Sequence, residues 1–119
     1  MNVLVCGSRD WTDKEAIWRV LEELAETNPA LLVVEGGANG ADKLSKEVAD
    51  LLHIPVHEYL ADWKRYGSQA GPMRNALMLA NERIDLVLAF HESIFESKGT
   101  GDMVKKANHA GIEVRLFSK

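Results

Sequence analysis

Val33 to Asp42 read VVEGGANGAD: a short apolar run, a paired glycine, a third glycine, and an acidic residue where a helix would begin. A strand that ends at Gly36-Gly37 and restarts as a helix near Gly40 leaves backbone N–H groups pointing at whatever lies above the turn. Such a turn can hold a phosphate without any side chain, and glycine lets the ligand come close to the backbone. The same spelling also describes a plain strand-to-helix connection. The residues on either side decide between the two.

Upstream, Val3 to Cys6 is a β-branched apolar run ended by Gly7-Ser8, as expected of a strand buried on both faces. Arg9-Asp10-Trp11 follows, then Thr12 with Glu15 three residues on, the spelling of a capping box. Ala16, Ile17, Val20, Leu21, Leu24 and Ala25 recur at helical spacing as far as Asn28-Pro29, where a helix must stop. Leu31 to Val34 is then a second buried strand, which delivers the glycine turn.

Downstream, Asn39 is placed to cap a helix whose inward stripe is Ala41, Leu44, Val48, Leu51 and Leu52. Pro55 to Tyr59, with a proline at its start, reads as an edge strand. Ala61 to Gly71 has no period, and its aromatics, bases and glycines suit a binding loop. Pro72 fits the first position of a helix with Met73, Ala76, Leu77 and Ala80 as its inner face. Asp85 to Phe90 is a fourth strand. The polar loop His91 to Lys98 leads to Gly99-Thr100-Gly101-Asp102, a second glycine-rich helix start. Ser97 or Thr100 is its expected cap, Met103, Val104 and Ala107 its sheet-facing positions, and Gly111 its terminator. Glu113 to Phe117 is the last strand.

Strands alternating with helices imply a parallel sheet covered on both faces through right-handed crossovers. The reading is α/β: a Rossmann-like three-layer sandwich with a five-stranded parallel sheet of order 3-2-1-4-5, in one domain spanning 1–119. Ligands in such sheets bind beyond the carboxyl ends of the strands where the order reverses, here between strands one and four. The turns Gly7 to Trp11, Gly36 to Asp42 and His91 to Asp102 are therefore expected to converge.

Composition narrows the function further. The 119 residues carry a net charge of −4 with the two signs interspersed, which disfavours a broad polyanion-binding surface and makes nucleic acid an unlikely partner. The lone Cys6 cannot form an intramolecular disulfide, and Met1-Asn2 runs directly into VLVC, so a cytoplasmic location is expected. No apolar stretch approaches a membrane span. The four histidines are dispersed, so neither a metal site nor a cofactor is expected.

GSRDW after strand one, EGGANGAD after strand two, ADWKRYGSQAGPMRN before the third long helix and SKGTGDMVKKA at the last one together resemble the YspA, cpYpsA-related branch of the SLOG superfamily. These are small Rossmann-like proteins of bacteria and their phages, and the resemblance covers essentially the whole chain. The superfamily includes the Lonely guy phosphoribohydrolases and DNA-processing protein A. The resemblance implies a pocket for a nucleotide or nucleotide-derived ligand: ADP-ribose-like, NAD-derived or a nucleoside monophosphate. It also implies possible homo-oligomers, with the apolar positions Met78 and Leu79 as the interface.

The hydrolase alternative carries over only in part. Arg74 stands where the Lonely guy enzymes have an arginine. Their glutamate, three residues after Gly-Thr, falls on Met103 here, while Asp102 is one residue early and is turned by about 100° on a helix. The residues implied for catalysis are Arg74, Asp102 and Glu35. Those implied for ligand binding are Gly7, Ser8, Arg9 and Trp11 after strand one; Gly36, Gly37, Asn39, Gly40 and Asp42 after strand two; and Trp63, Arg74, Asn75, Gly99 and Thr100. Trp11 and Trp63 would stack on a base, and Asp42 or Glu35 would meet ribose hydroxyls or move a proton. A third class is single-stranded DNA binding, through Lys64, Arg65 and Arg74.

Overall fold

Five parallel strands run in the order β3-β2-β1-β4-β5. They are β1 (Asn2–Gly7), β2 (Leu32–Glu35), β3 (Val56–Glu58), β4 (Leu86–Phe90) and β5 (Glu113–Phe117). The computed structural model describes residues 1–93 and 97–118. Residues 94–96 of the expected loop from His91 to Lys98 lie outside the described residues. The helices are α1 (Lys14–Thr27), α2 (Ala41–Leu51), the single turn α3 (Trp63–Tyr66), α4 (Ala70–Asn81) and α5 (Gly99–His109). The architecture is the Rossmann-like one that the alternation of elements predicts.

Alternate side chains of the central strands feed two cores, since strand periodicity sends neighbours to opposite faces. Val3, Val5, Val33, Leu86, Leu88 and Phe90 pack under α1 and α2 through Ile17, Leu21, Val48 and Ala49. On the other face, Leu4, Val34 and Val87 meet Met78 of α4 and Met103 and Ala107 of α5. All five residues of β4 are buried, which accounts for its unbroken apolar spelling. β3 lies at one edge of the sheet, as its proline start suggests.

Local chemistry departs from the sequence reading at three places. The cap of α1 is Asp13 and not Thr12: its Oδ1 accepts from Ala16 N at 3.1 Å. The entry is held there by the Trp11 indole, which donates to the Asp13 carbonyl at 3.0 Å. At α2 the N-cap position is Gly40, without a side-chain cap bond, and Asn39 is exposed. At α4 the helix begins at Ala70, running on from a 3-10 turn over Gly67–Gln69. Pro72 still lies in the first turn, where a missing N–H costs no helical bond.

The phase of α4 is the largest difference. Its buried residues are Ala70, Gly71, Asn75 and Met78, while Met73 and Leu77 of the expected inner stripe are exposed. Met78 is therefore a core residue and not part of an interface. The helix carries two stripes, and the one turned inward is the one that fits a small residue and an amide against the cleft and α5. At the far end, Ser97 provides the α5 cap bond, its Oγ accepting from Thr100 N at 3.0 Å, and Thr100 lies inside the helix. Gly111 closes that helix at φ 74°, a conformation that favours glycine.

Candidate functional site

At the carboxyl ends of β1 and β4 lies a cleft of about 560 Å³. The three turns expected to converge do line it: Gly7 to Asp10 after β1, Gly36, Ala38 and Asp42 after β2, and His91 with Ser97 to Thr100 after β4. Trp63, Ser68, Gly71, Pro72, Arg74, Asn75 and Met78 complete the walls from α3, the following 3-10 turn and α4, and Val5 and Cys6 reach it from β1.

The β1 turn is fixed by backbone bonds. Ser8 N donates to Phe90 O at 2.8 Å, Ser8 O accepts from Ala41 N at 3.1 Å, and Ser8 Oγ accepts from Asp10 N at 3.0 Å. A Cβ at Gly7 would collide with the Phe90 carbonyl, and one at Gly40 with the Ser8 carbonyl. These two glycines therefore serve the close approach of strands and helix; Gly40 does not line the cleft.

The turn after β2 is already occupied by the chain's own carboxylates. Glu35 Oε2 accepts from Gly37 N, and Asp42 Oδ2 accepts from Ala38 N at 3.2 Å. Ala41 N, which would begin the anion end of α2, is bonded to Ser8 O. Three of the amides that VVEGGANGAD was expected to offer a phosphate, those of Gly37, Ala38 and Ala41, are thus engaged internally. Gly37 and Asn39 face a neighbouring recess with Leu60 and Ala61, outside the main cleft.

Arg74 connects this turn to the opposite one. Its Nη1 donates to Gly36 O at 2.6 Å and its Nε to Asn75 Oδ1 at 3.0 Å. Asn75, only 3% exposed, donates from Nδ2 to Gly99 O at 3.3 Å and to Asp102 Oδ2 at 3.0 Å. Asp102 also holds Lys106. A buried amide with both ends bonded sets the distance between the two glycine turns. Among the described residues, none comes within 4 Å of the place where a Cβ on Gly99 would sit.

Among the described residues, three cations, Arg9, Arg74 and Lys98, line the cleft, together with the acids Asp10 and Asp42. Burial pushes the Asp42 carboxyl up to about 6, against the opposing pull of its bond from Ala38 N and of Arg74. Burial, with Asp42 nearby, raises the Cys6 thiol far out of the reactive range. The Arg9 guanidinium lies 5.6 Å from the Trp63 ring centroid, and Trp63 is 48% exposed. This cation–π pair forms a half-exposed part of the cleft wall.

Of the residues implied for binding, Gly7, Ser8, Arg9, Gly36, Asp42, Trp63, Arg74, Asn75, Gly99 and Thr100 are brought together. Trp11 is not: at 2% exposure it packs against Phe90, ring centroids 5.6 Å apart, and belongs to the core. Of the catalytic set only Arg74 lines the cleft. Glu35 is wholly buried behind its turn, and Asp102 is committed to Asn75 and Lys106. Asp10 and His91 were missed. The signal that pointed to them was position alone, one at each side of the β1/β4 switch.

Among the described residues no group of three or more His, Cys, Asp or Glu side chains could hold a metal ion, and no helix is long and apolar enough to cross a membrane.

Residues 1–66 match the model of YAcAr, the YspA, cpYpsA-related SLOG family. The Gene 61 protein of Mycobacterium phage D29 is 36% identical, over 98% of this chain and 95% of its own. Among solved structures, DNA processing protein A from Streptococcus pneumoniae superposes with a TM-score of 0.76 at 17% identity, covering 97% of this chain and 49% of its own. The chain thus spans about half the length of that protein. The protein TM1055 superposes with a TM-score of 0.65 at 21% identity, covering 95% of this chain and 71% of its own. Both share the fold, and by the family match and the phage relative this chain belongs to the YspA, cpYpsA-related SLOG family.

Proposed function

We propose that the cleft binds a nucleotide or nucleotide-derived ligand such as a nucleoside monophosphate, ADP-ribose or an NAD-derived species. The observation that carries this is the convergence of Arg9, Arg74 and Lys98 with the start of α5 at Gly99, in a cleft at the sheet's switch point. Phosphate belongs at that end, since the β2 turn already holds Glu35 and Asp42. The base has the exposed face of Trp63, and Asp42 offers a carboxylate to ribose hydroxyls. Calorimetry with AMP, ADP-ribose, NAD and cyclic dinucleotides tests the reading. Saturable heat with at least one is expected; no heat with any of them, in folded protein, overturns it.

A second reading, N-glycosidic hydrolysis, rests on Asp42 and no longer on Asp102 or Glu35. Asp42 is the carboxyl that both lines the cleft and is raised to about 6, suited to passing a proton near neutral pH. Free base released from nucleoside monophosphates, lost in Asp42→Asn while ligand still binds, supports it; unchanged release in that variant sinks it.

A nucleic-acid partner is kept as a third reading, because the net charge does not describe the local surface. Trp63 and Tyr66 are exposed on α3, Arg9 covers the first and Arg65 lies 5.2 Å from the ring of the second. Paired aromatic and cationic side chains suit a single strand, and its affinity would fall with added salt. For self-association, the exposed α4 face of Met73, Ala76, Leu77 and Ala80 takes the place of Met78.

A further inference from the structure

Among the described residues, Glu35 Oε1 is the buried side-chain atom that meets no hydrogen-bond partner, and Glu35 is 0% exposed. Its other oxygen accepts from Gly37 N. The parallel register of β2 and β3 sets Glu35 directly beside Glu58, both on the α2 face of the sheet. From α2, Asp42 adds a third carboxyl, tied to Ala38 N, and Lys46 lies 3.8 Å from Glu58 Oε2. From α4, Arg74 bonds to Gly36 O and acts on Asp42. Lys46 therefore serves Glu58, and among the described residues no salt bridge reaches Glu35. Two adjacent carboxylates, one of them fully enclosed, cannot both keep their charge at a reasonable cost. A proton on Oε1 turns the orphan acceptor into a donor towards Glu58.

We propose that Glu35 and Glu58 share one proton, and that this proton is a pH-sensitive latch fastening β3 to the glycine turn that walls the cleft. The contacts above the pair make it a latch. A Cβ at Gly37 would run into Leu60 Cδ2 and lie 3.4 Å from Glu58 Cδ, so Leu60 and the Glu58 carboxyl both lie against Gly37. Trp63, in the cleft wall, follows three residues later. When the proton leaves to solvent, a second charge appears beside the first. Glu58, the more exposed partner with Lys46 next to it, swings outward and draws Tyr59 and Leu60 off Gly37. Burial, followed by the bond to Glu58, raises Glu35 to about 8, so the release falls just above neutrality.

Carbon-detected NMR of the ligand-free full chain from acid to alkaline pH tests the latch. The expected result is one common transition near pH 8 in the Glu35 carboxyl carbon, the Gly37 amide and the Leu60 methyl groups. Glu58→Gln should lower that midpoint by about one pH unit or more, and Glu35→Gln should abolish it. Should either variant fail to fold, the wild-type titration decides by itself. Ionisation of Glu35 in the ordinary carboxylate range, or a Glu35 transition that leaves Gly37 and Leu60 unmoved, overturns the proposal. No ligand enters the measurement, so its outcome is separate from that of the calorimetry.

Discussion

Arg74 and Gly36 are fitted to each other: the guanidinium donates to the Gly36 carbonyl at 2.6 Å, and a Cβ at Gly36 would occupy the space of the same guanidinium. Glycine at this position makes room for a side chain from another helix. Because that side chain is long and its end can move, Gly36→Ala is expected to fold and to displace Arg74. Ligand affinity should fall by about tenfold or more, the scale of a lost hydrogen bond to a charged group. Arg74→Lys should fall similarly, since a single ammonium cannot bond Gly36 O and Asn75 Oδ1 in the same fork. Calorimetry against wild type, with melting curves as the folding control, checks both.

Gly40 behaves differently. It sits at φ 77° and ψ −126°, and its Cβ would meet backbone atoms of Ser8 and Arg9, which cannot turn aside. Gly40→Ala should therefore cost on the order of 1–3 kcal/mol of backbone strain, with the collision added to it. Urea unfolding should show a lowered midpoint; a midpoint equal to that of Gly36→Ala would contradict the distinction.

The two tryptophans of the flanking turns should separate by experiment. Trp11 is buried against Phe90, so Trp11→Ala is expected to cost about 3–5 kcal/mol of stability. Trp63 is exposed beside Arg9, so Trp63→Ala should change stability by about 0.5 kcal/mol or less. Its ligand affinity should drop by about 1–3 kcal/mol if a base stacks there. Denaturation and calorimetry on the same two proteins read both effects.

Asn75 links the Arg74 side chain to Gly99 and Asp102. Asn75→Leu leaves those polar groups unpaired in a buried place and should cost about 1–3 kcal/mol. Asn75→Asp should be worse near neutral pH, because it sets a second carboxylate against Asp102, and should recover as acid neutralises it. Melting temperatures of the two variants at acid and neutral pH provide the check.

The pH profile of the wild type follows from two raised carboxyls. Asp42 stands at about 6 against an ordinary 3.8, and Glu35 at about 8 against 4.5. Each keeps its proton in the folded chain after the unfolded chain has lost it. Their stabilising effect is therefore complete below the ordinary values and is lost as pH rises. Unfolding free energy should fall by up to about 1.4 kcal/mol per pH unit for each group. The decline should be steepest up to pH 6, continue on Glu35 alone to pH 8 and then level off. In Glu35→Gln the segment between pH 6 and 8 should be flat.

Much of this was legible in the residues. The alternation of apolar runs with helical stripes predicts the strands and the sheet order; for β1, β2 and β4, burial on both faces spells itself as a nearly unbroken apolar run, while the edge strands β3 and β5 are mixed. Candidate ligand contacts were legible where they depend on position at the ends of strands, as for Ser8, Arg9, Asp42 and Thr100. The α4 face was misread because Met73, Ala76, Leu77 and Ala80 are as apolar as a core stripe, and only packing against α5 and the cleft selects Asn75 and Met78. Trp11 was misread because an aromatic beside a glycine turn looks the same whether it turns outward to a ligand or inward to Phe90.

VVEGGANGAD shows the division most sharply. Its composition determines a strand, a tight turn and a helix, since β-branched residues, glycines and an acidic first turn have those preferences wherever they occur. What fills the turn is decided by residues far away in the chain. Glu58 lies beside Glu35 through strand register, Arg74 reaches Gly36 from another helix, and Ser8 takes the Ala41 amide across the sheet. Propensity acts over a few neighbours along the chain. The satisfaction of buried donors and acceptors is settled in three dimensions, and here it engages the amides of Gly37, Ala38 and Ala41 within the chain itself.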